Sequence, residues 1–120
     1  MLVVPDCGRS YTKEDCFGSV GAGWHSLVEE IFFFIDNSPV PIYVVQCKEK
    51  FGGLRFYWNV DTLREESFSE EDYDSLSSLI STVEERSLTT CEYCGNIGIT
   101  VRVQCGWIRT LCASCKEEDE

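Results

Sequence analysis

The chain has 120 residues, a formal net charge of −11 and eight cysteines, with 43% hydrophobic and 12% aromatic residues. This apolar content is enough for a folded core, so wholesale disorder is excluded, and the length indicates one small domain. The longest aliphatic-aromatic run covers only residues 31–35, whereas a membrane-spanning helix needs roughly 20 apolar residues, so no membrane segment is expected.

The N-terminal region predicts an irregular arm over residues 1–22, because it mixes polar residues with Pro5 and three glycines. Its first ten residues, MLVVPDCGRS, lack the basic start and the long apolar stretch of a secretory signal. We therefore expect a cytoplasmic protein, in which cysteines serve as thiols or metal ligands rather than as disulfides.

The next segment predicts a helix followed by a β-hairpin. Apolar residues recur at helical spacing from Trp24 to Ile35, and Pro39 marks the end of this helix. Residues 42–48 and 54–58 then read as two strands. The pair Gly52-Gly53 stands between them and can supply the positive φ angles of a tight turn.

A second helix is predicted after an acidic loop. Ser69 is its expected N-cap, followed by acidic residues in the first turn, where the helix dipole favours negative charge. We therefore expect an α+β fold in which two helices pack on a β-hairpin, with a C-terminal zinc ribbon. The expected boundaries are an arm over 1–22, a helix-hairpin-helix core over 23–88, the ribbon over 89–116 and an acidic tail over 117–120.

Two CxxC pairs near the C-terminus predict a metal site. Cys91 and Cys94 are separated from Cys112 and Cys115 by 17 residues, which is the spacing of a four-thiolate zinc ribbon. A shell closed by four cysteines leaves no position for a reacting water, so one structural Zn²⁺ is expected rather than a catalytic metal. Cys105 is expected on the turn between the ribbon strands, as a bystander.

The other cysteines and the single histidine carry weaker hypotheses. Cys7, Cys16, His25 and Cys47 could form a second metal site, but their spacing matches no tight-turn motif. We interpret the three cysteines as small apolar residues and His25 as a partly buried or capping residue. An enzyme that uses His25 as a base is the weakest alternative, since no nucleophile is marked in the sequence.

The hairpin combines cations with aromatic rings. Lys48, Lys50 and Arg55 accompany Phe51 and Tyr57. Such a mixture can stack bases and hold phosphates, and it is equally typical of protein-binding hot spots. With Arg102 and Arg109, the basic residues could serve a nucleic-acid-associated ribbon.

The acidic residues suggest a second contact surface. The segment 61–74 holds seven acids against one base, and its last part includes Glu70, Glu71 and Asp72. So acidic a chain is a poor general binder of phosphate backbones. An acidic face can instead meet a basic protein or imitate nucleic acid.

Four stretches, GAGWHSLVEEI, VVQCKEKFGGLRFYWN, TCEYCG and GWIRTLCASC, occur here in that order. Together they resemble a family of small uncharacterised proteins from bacteria and their phages, over most of residues 21–115. The resemblance implies a bacterial or phage source and an intracellular location, and it implies no catalytic residue.

The expected function is a non-enzymatic protein-interaction module, such as a phage accessory or anti-defence factor that modulates a host protein. Its candidate contact residues are Lys48, Lys50, Phe51, Arg55, Tyr57, Glu70, Glu71 and Asp72. The alternatives are a nucleic-acid-associated zinc ribbon and an acidic nucleic-acid mimic.

Overall fold

The computed structural model describes residues 11–62, 67–102 and 106–119. Its elements, in chain order, are α1 (Lys13–Ser19), a 3₁₀ turn (Ala22–Trp24), α2 (His25–Asp36), β1 (Ile42–Lys50), β2 (Gly53–Val60), α3 (Glu70–Ser87), β3 (Ile99–Arg102), β4 (Ile108–Leu111) and α4 (Ala113–Asp119). The strands form two separate antiparallel hairpins, β1–β2 and β3–β4. The predicted α+β class is therefore confirmed.

The main core lies between one face of the β1–β2 hairpin and helices α2 and α3. Alternate strand residues face these helices, and they meet apolar residues that recur at helical spacing. The buried set includes Trp24, Leu27, Val28, Ile31, Val44, Cys47, Leu54, Phe56, Leu76, Ile80 and Val83. A second, smaller cluster lies in the ribbon and contains Cys91, Leu111 and Cys112.

The N-terminal arm differs from the prediction, because residues 13–19 are helical. Thr12 and Asp15 form a capping box that satisfies the first free N–H groups of α1. Cys16 is fully buried in the main core. The helix was missed because a seven-residue helix with one buried side chain leaves no periodic apolar pattern. Residues 1–10 of the expected arm, with Cys7, lie outside the described residues.

The hairpin turn also differs in detail. Its two central residues are Phe51 and Gly52, with φ angles of 56° and 81°, and Gly53 already pairs with Lys50 in the sheet. Two consecutive positive φ angles are those of a type I′ turn, whose twist matches that of the flanking strands. The turn therefore places a phenylalanine where a glycine was expected.

The C-terminal residues also differ in part from the prediction. Helix α4 continues to Asp119, so the backbone of residues 117–119, expected as an acidic tail, is helical. Cys105, expected on the turn between the ribbon strands, lies outside the described residues, as does Glu120. In the described part of the chain, no helix combines the length and the apolar character needed to cross a bilayer.

Candidate metal centre

The two CxxC pairs converge on one point. The sulfur atoms of Cys91, Cys94, Cys112 and Cys115 all lie within 4.8 Å of one another, and those of Cys94 and Cys112 are 3.6 Å apart. Four thiolates around a tetrahedral Zn²⁺, each at about 2.3 Å, would be separated by about 3.8 Å. The four side chains therefore form a cluster that could hold a metal ion of this size.

Two tight backbone turns present these sulfurs. In the first knuckle, residues 91–95, the Gly95 N–H donates to the Cys91 carbonyl at 3.0 Å, and Gly95 has a φ of +84°. Only glycine adopts such an angle without strain, so Gly95 allows the chain to turn back. In the second knuckle, residues 112–116, the Lys116 N–H donates to the Cys112 carbonyl where β4 passes into α4.

The environment of the Cys91 sulfur suits a thiolate. Burial opposes ionisation of Cys91, but three backbone N–H groups of the two knuckles donate to its sulfur and lower the pKa of this thiol to about 6. Burial, together with the neighbouring thiols, raises the pKa of Cys115. A divalent cation among the sulfurs would offset the repulsion between thiolates, so its binding releases protons.

Glycines join the first knuckle to the main core. The Gly23 N–H donates to the Glu92 carbonyl at 2.8 Å, and a Cβ added at Gly23 would lie 2.1 Å from the Cys91 carbonyl oxygen. A Cβ at Gly21 would lie 2.3 Å from the Glu92 carbonyl oxygen. The adjacent Trp24 indole N–H donates to the Thr90 carbonyl at 2.8 Å. The Gly-Ala-Gly-Trp stretch is therefore the surface on which the ribbon rests.

A buried carboxylate lies inside the first knuckle. Glu92 is 2% exposed, and its two oxygens accept from Arg109 Nη1 at 3.1 Å and from the Thr110 N–H at 3.0 Å. Burial raises the pKa of Glu92 in spite of these donors. Sequence analysis missed this residue; the available signal was an acid between two cysteine ligands with a basic residue on the returning strand.

The tip of the β1–β2 hairpin makes a second contact with the ribbon. The buried Thr110 hydroxyl donates to the Gly52 carbonyl at 2.7 Å and lies 3.0 Å from the Thr100 hydroxyl. A Cβ on Gly52 would come within 3.3 Å of Thr110 Oγ1. Gly52 therefore allows both the turn and the close approach of the ribbon. The part that Thr110 plays in this contact was not predicted from the sequence.

The predicted basic-aromatic residues of the hairpin share one face. Lys48 pairs with Arg55 and Lys50 with Gly53, while Tyr57 pairs with Gln46. Because paired and alternate strand residues share a face, these side chains point away from the main core. Phe51 extends from the turn and is 63% exposed. The structure thus brings this half of the predicted contact set together.

The acidic residues of the predicted contact set lie in the first turn of α3, away from the hairpin turn. Near its start, α3 contacts the open end of the hairpin, where the rings of Trp58 and Tyr73 are 5.5 Å apart. Near its end it contacts the turn side of the hairpin, where Ser87 Oγ accepts from the Leu54 N–H. A helix of 18 residues is about 27 Å long. Glu70, Glu71 and Asp72 are consequently far from Phe51, and Asp72 caps the helix.

The two ribbon arginines have different surroundings. Arg109 binds Glu92 and lies over the Tyr93 ring at 5.7 Å, so its guanidinium is engaged within the fold. Arg102 donates to the Gly106 carbonyl at 2.9 Å and lies on the surface near Trp107. Of the two arginines predicted to contact nucleic acid, Arg102 lies near Lys48 and Lys50, whereas Arg109 is paired with Glu92 within the fold.

The remaining candidates do not join the metal centre. His25 is half-buried, donates from Nε2 to the Phe17 carbonyl at 2.9 Å and stacks on the Phe17 ring. Cys16 and Cys47 are buried together in the main core and hydrogen bond to each other, which raises the pKa of Cys47. Within the described ranges, the only cluster of potential metal ligands is that of the four ribbon cysteines.

Comparisons with known proteins identify no relative. No protein-family model matches the chain, and neither a curated protein nor a solved structure was found to match it. The function must therefore be argued from the metal cluster and the surfaces around it.

Proposed function

We propose that the chain is a non-enzymatic protein-interaction module, folded around one structural Zn²⁺, whose contact surface is the outward face of the β1–β2 hairpin. One observation carries the proposal. Lys48, Lys50 and Arg55 share this face, and among the described residues no carboxylate lies within ion-pair distance of them. Cations that are not used within the fold are available to an acidic partner.

In this proposal the metal has a structural role and not a catalytic one. Four thiolates suit Zn²⁺ and close its tetrahedral shell, so no position is left for a substrate or a reacting water. The same four residues draw together the first knuckle, which rests on Gly23, and the end of β4, which contacts the hairpin turn through Thr110. Zinc therefore positions the ribbon beside the contact surface. Elemental analysis should find one zinc per chain.

A protein partner is favoured over a nucleic acid by charge. The chain carries 21 acidic and 10 basic residues, so a long phosphate backbone that extends beyond this face meets a protein of net negative charge. In a protein segment, the negative charge can be limited to the few residues that meet this face, and apolar side chains add further contacts. Exposed Tyr and Arg side chains, which this face presents in Tyr57 and Arg55, are typical of hot spots in protein interfaces.

The biological setting is a further part of the proposal. The resemblance of the KEKFGGLRFY stretch to small bacterial and phage proteins supports an accessory factor that acts in the bacterial cytoplasm. An anti-defence factor that modulates a host protein fits this setting.

The test is affinity capture with matched charge variants. The tagged full-length chain is expected to retain one stoichiometric partner from a lysate of its host, and to lose it when Lys48 and Arg55 are both changed to Glu. The control changes Glu70 and Glu71 to Gln at the distant end of α3, and it should retain the partner. Loss of the partner only in the control would assign the interface to the acidic surface and contradict the proposal.

A nucleic-acid-associated ribbon is the second candidate, favoured by the position of Arg102 and Trp107 beside the hairpin tip. It predicts a salt-dependent mobility shift of labelled DNA or RNA that is lost when Lys50 and Arg55 are changed to Glu. The acidic-mimic alternative predicts instead a partner that DNA displaces and that requires Glu70 and Glu71. An enzyme using His25 would lose its function in a folded His25→Ala variant.

A further inference from the structure

A groove of about 440 Å³ separates the tip of the β1–β2 hairpin from the outer end of the ribbon. Its volume is within the range of small-ligand pockets, about 300–1,000 Å³. One wall carries Lys48, Lys50 and Phe51, and the other carries Arg102 and Trp107. The two walls come from segments that Thr110 and Gly52 hold together, so the groove exists only in the assembled fold.

Phe51 has an unusual backbone for its residue type. Its φ of 56° lies in the left-handed region, where a bulky side chain is an outlier, and Asn is strongly preferred at this position of a type I′ turn. The ring is nevertheless 63% exposed, so little burial within the chain offsets the strain. Strained residues of this kind cluster at ligand-binding sites. The phenylalanine therefore costs stability that its burial does not offset, as expected of a residue that contacts something outside the chain.

Trp107 provides the matching ring on the ribbon wall. It is 53% exposed and follows Gly106, whose φ is +87°. Large aromatic side chains rarely stay so exposed without a binding role when two of them border one groove. An apolar side chain of a ligand would be covered by the ring of Phe51 on one side and by that of Trp107 on the other.

The charge of the groove defines its ligand further. Among the described residues that line the groove, Lys48, Lys50 and Arg102 bring three positive charges, against the one carboxylate of Glu49, which already accepts from the Gly52 N–H at 3.2 Å. The Lys50 ammonium lies 5.6 Å from the centre of the Phe51 ring. Charge complementarity therefore favours an occupant that is anionic where it lies in the groove.

We infer that this groove binds a short acidic segment of a partner protein, with an apolar or aromatic side chain placed between Phe51 and Trp107. The inference rests on the proposed protein-interaction function and specifies its site. In a short peptide segment, the negatively charged residues can be confined to the part that lies in the groove. A nucleic acid continues beyond it as a polyanion, towards the acidic remainder of the chain.

The decisive variant is Phe51→Asn, because it separates stability from binding. Asn suits the left-handed conformation, so the melting temperature should stay the same or rise. The probes are fluorescein-labelled dodecapeptides in which Asp and Glu alternate with Leu and Phe, and their affinity is followed by fluorescence anisotropy. Affinity for these peptides should fall about ten-fold or more in Phe51→Asn and in Trp107→Ala.

A matched control uses Phe33, which is 71% exposed on α2 and does not border the groove. Phe33→Gln should bind the peptides as the parent does, and peptides with Lys in place of the acids should not bind. Unchanged affinity in Phe51→Asn, absence of peptide binding, or preferential binding of a dT12 oligonucleotide would each overturn the inference. If the captured partner remains bound to Phe51→Asn and Trp107→Ala but not to the Lys48 and Arg55 double variant, the module stands and only this groove fails.

Discussion

Gly23 and Cys91 lie so close together that no side chain fits between them: a Cβ on Gly23 would be 2.1 Å from the Cys91 carbonyl oxygen. Gly23 lies in the 3₁₀ turn that leads into α2, and Cys91 is the first of the four clustered cysteines. The Gly23 N–H also donates to the neighbouring Glu92 carbonyl. The four-cysteine cluster and the main core are therefore joined by direct backbone contact.

Replacing Gly23 by Ala should destabilise the protein by about 2–3 kcal/mol, because the new methyl group meets rigid backbone atoms of the knuckle. Thermal or urea unfolding measures the loss, and zinc content should fall with it. Gly18→Ala is the control, since nothing lies within 4 Å of the added Cβ in α1 and alanine favours a helix. Equal stability of the two variants would show that the ribbon does not pack on Gly23 as described.

Removing the metal should loosen the ribbon before the main core. Cys91, Cys112 and Cys115 belong to the small cluster with Leu111, whereas the larger cluster of α2, α3 and the hairpin contains none of the four ribbon cysteines. Treatment with a chelator should therefore increase hydrogen exchange over residues 90–116, with smaller changes in α2 and α3. Cys94→Ser should reproduce this pattern without a chelator. A uniform increase over the whole chain would argue against two separable clusters.

The two ribbon arginines should respond differently to substitution. Arg109→Gln leaves the buried Glu92 carboxylate without its charged partner, and we expect a loss of about 1–3 kcal/mol in unfolding free energy. Arg102→Gln removes a surface charge at the groove and should change stability by less than about 0.5 kcal/mol. Chemical denaturation of both variants makes the comparison. A larger loss for Arg102 would be the opposite of what the contacts imply.

Thr110→Val should weaken the junction between ribbon and hairpin. The change keeps the shape of the side chain but removes the hydroxyl that donates to the buried Gly52 carbonyl, at a cost of about 1–2 kcal/mol. Because this junction holds the two walls of the groove, peptide affinity should fall together with stability. Thr89→Val is the control, since its hydroxyl makes only an exposed contact at the end of α3. Full peptide affinity in a destabilised Thr110→Val would separate the groove from the junction.

Much of the fold was predictable because its signals are local. Apolar spacing identified α2 and α3, and Ser69 marked the start of α3 as its N-cap, which the structure shows to be part of a capping box. Two strand patterns around Phe51 and the glycines identified the hairpin. Helix α1 was not predictable in this way, since its stability depends on burying Cys16 against segments that come later in the chain.

The metal cluster was predictable from four residues. A CxxC pair brings two sulfurs together within one turn, and the strand pattern between the pairs returns the second to the first. The contact of the Glu92 carbonyl with Gly23 and that of the Thr110 hydroxyl with Gly52 were not predictable, because each joins segments that are far apart in the chain. The spacing of the cysteines does not indicate which residues the first knuckle packs against.

The sequence by itself therefore determined α2, α3, the two hairpins and the four clustered cysteines, since periodicity, capping and cysteine spacing act over short stretches of chain. Only the tertiary structure decided that the basic and acidic candidate surfaces lie at opposite ends of α3. It also decided that Phe51 stands strained and exposed opposite Trp107. These relationships depend on the packing of the ribbon against Gly23 and Gly52, and such packing is governed by close contact between segments far apart in the chain.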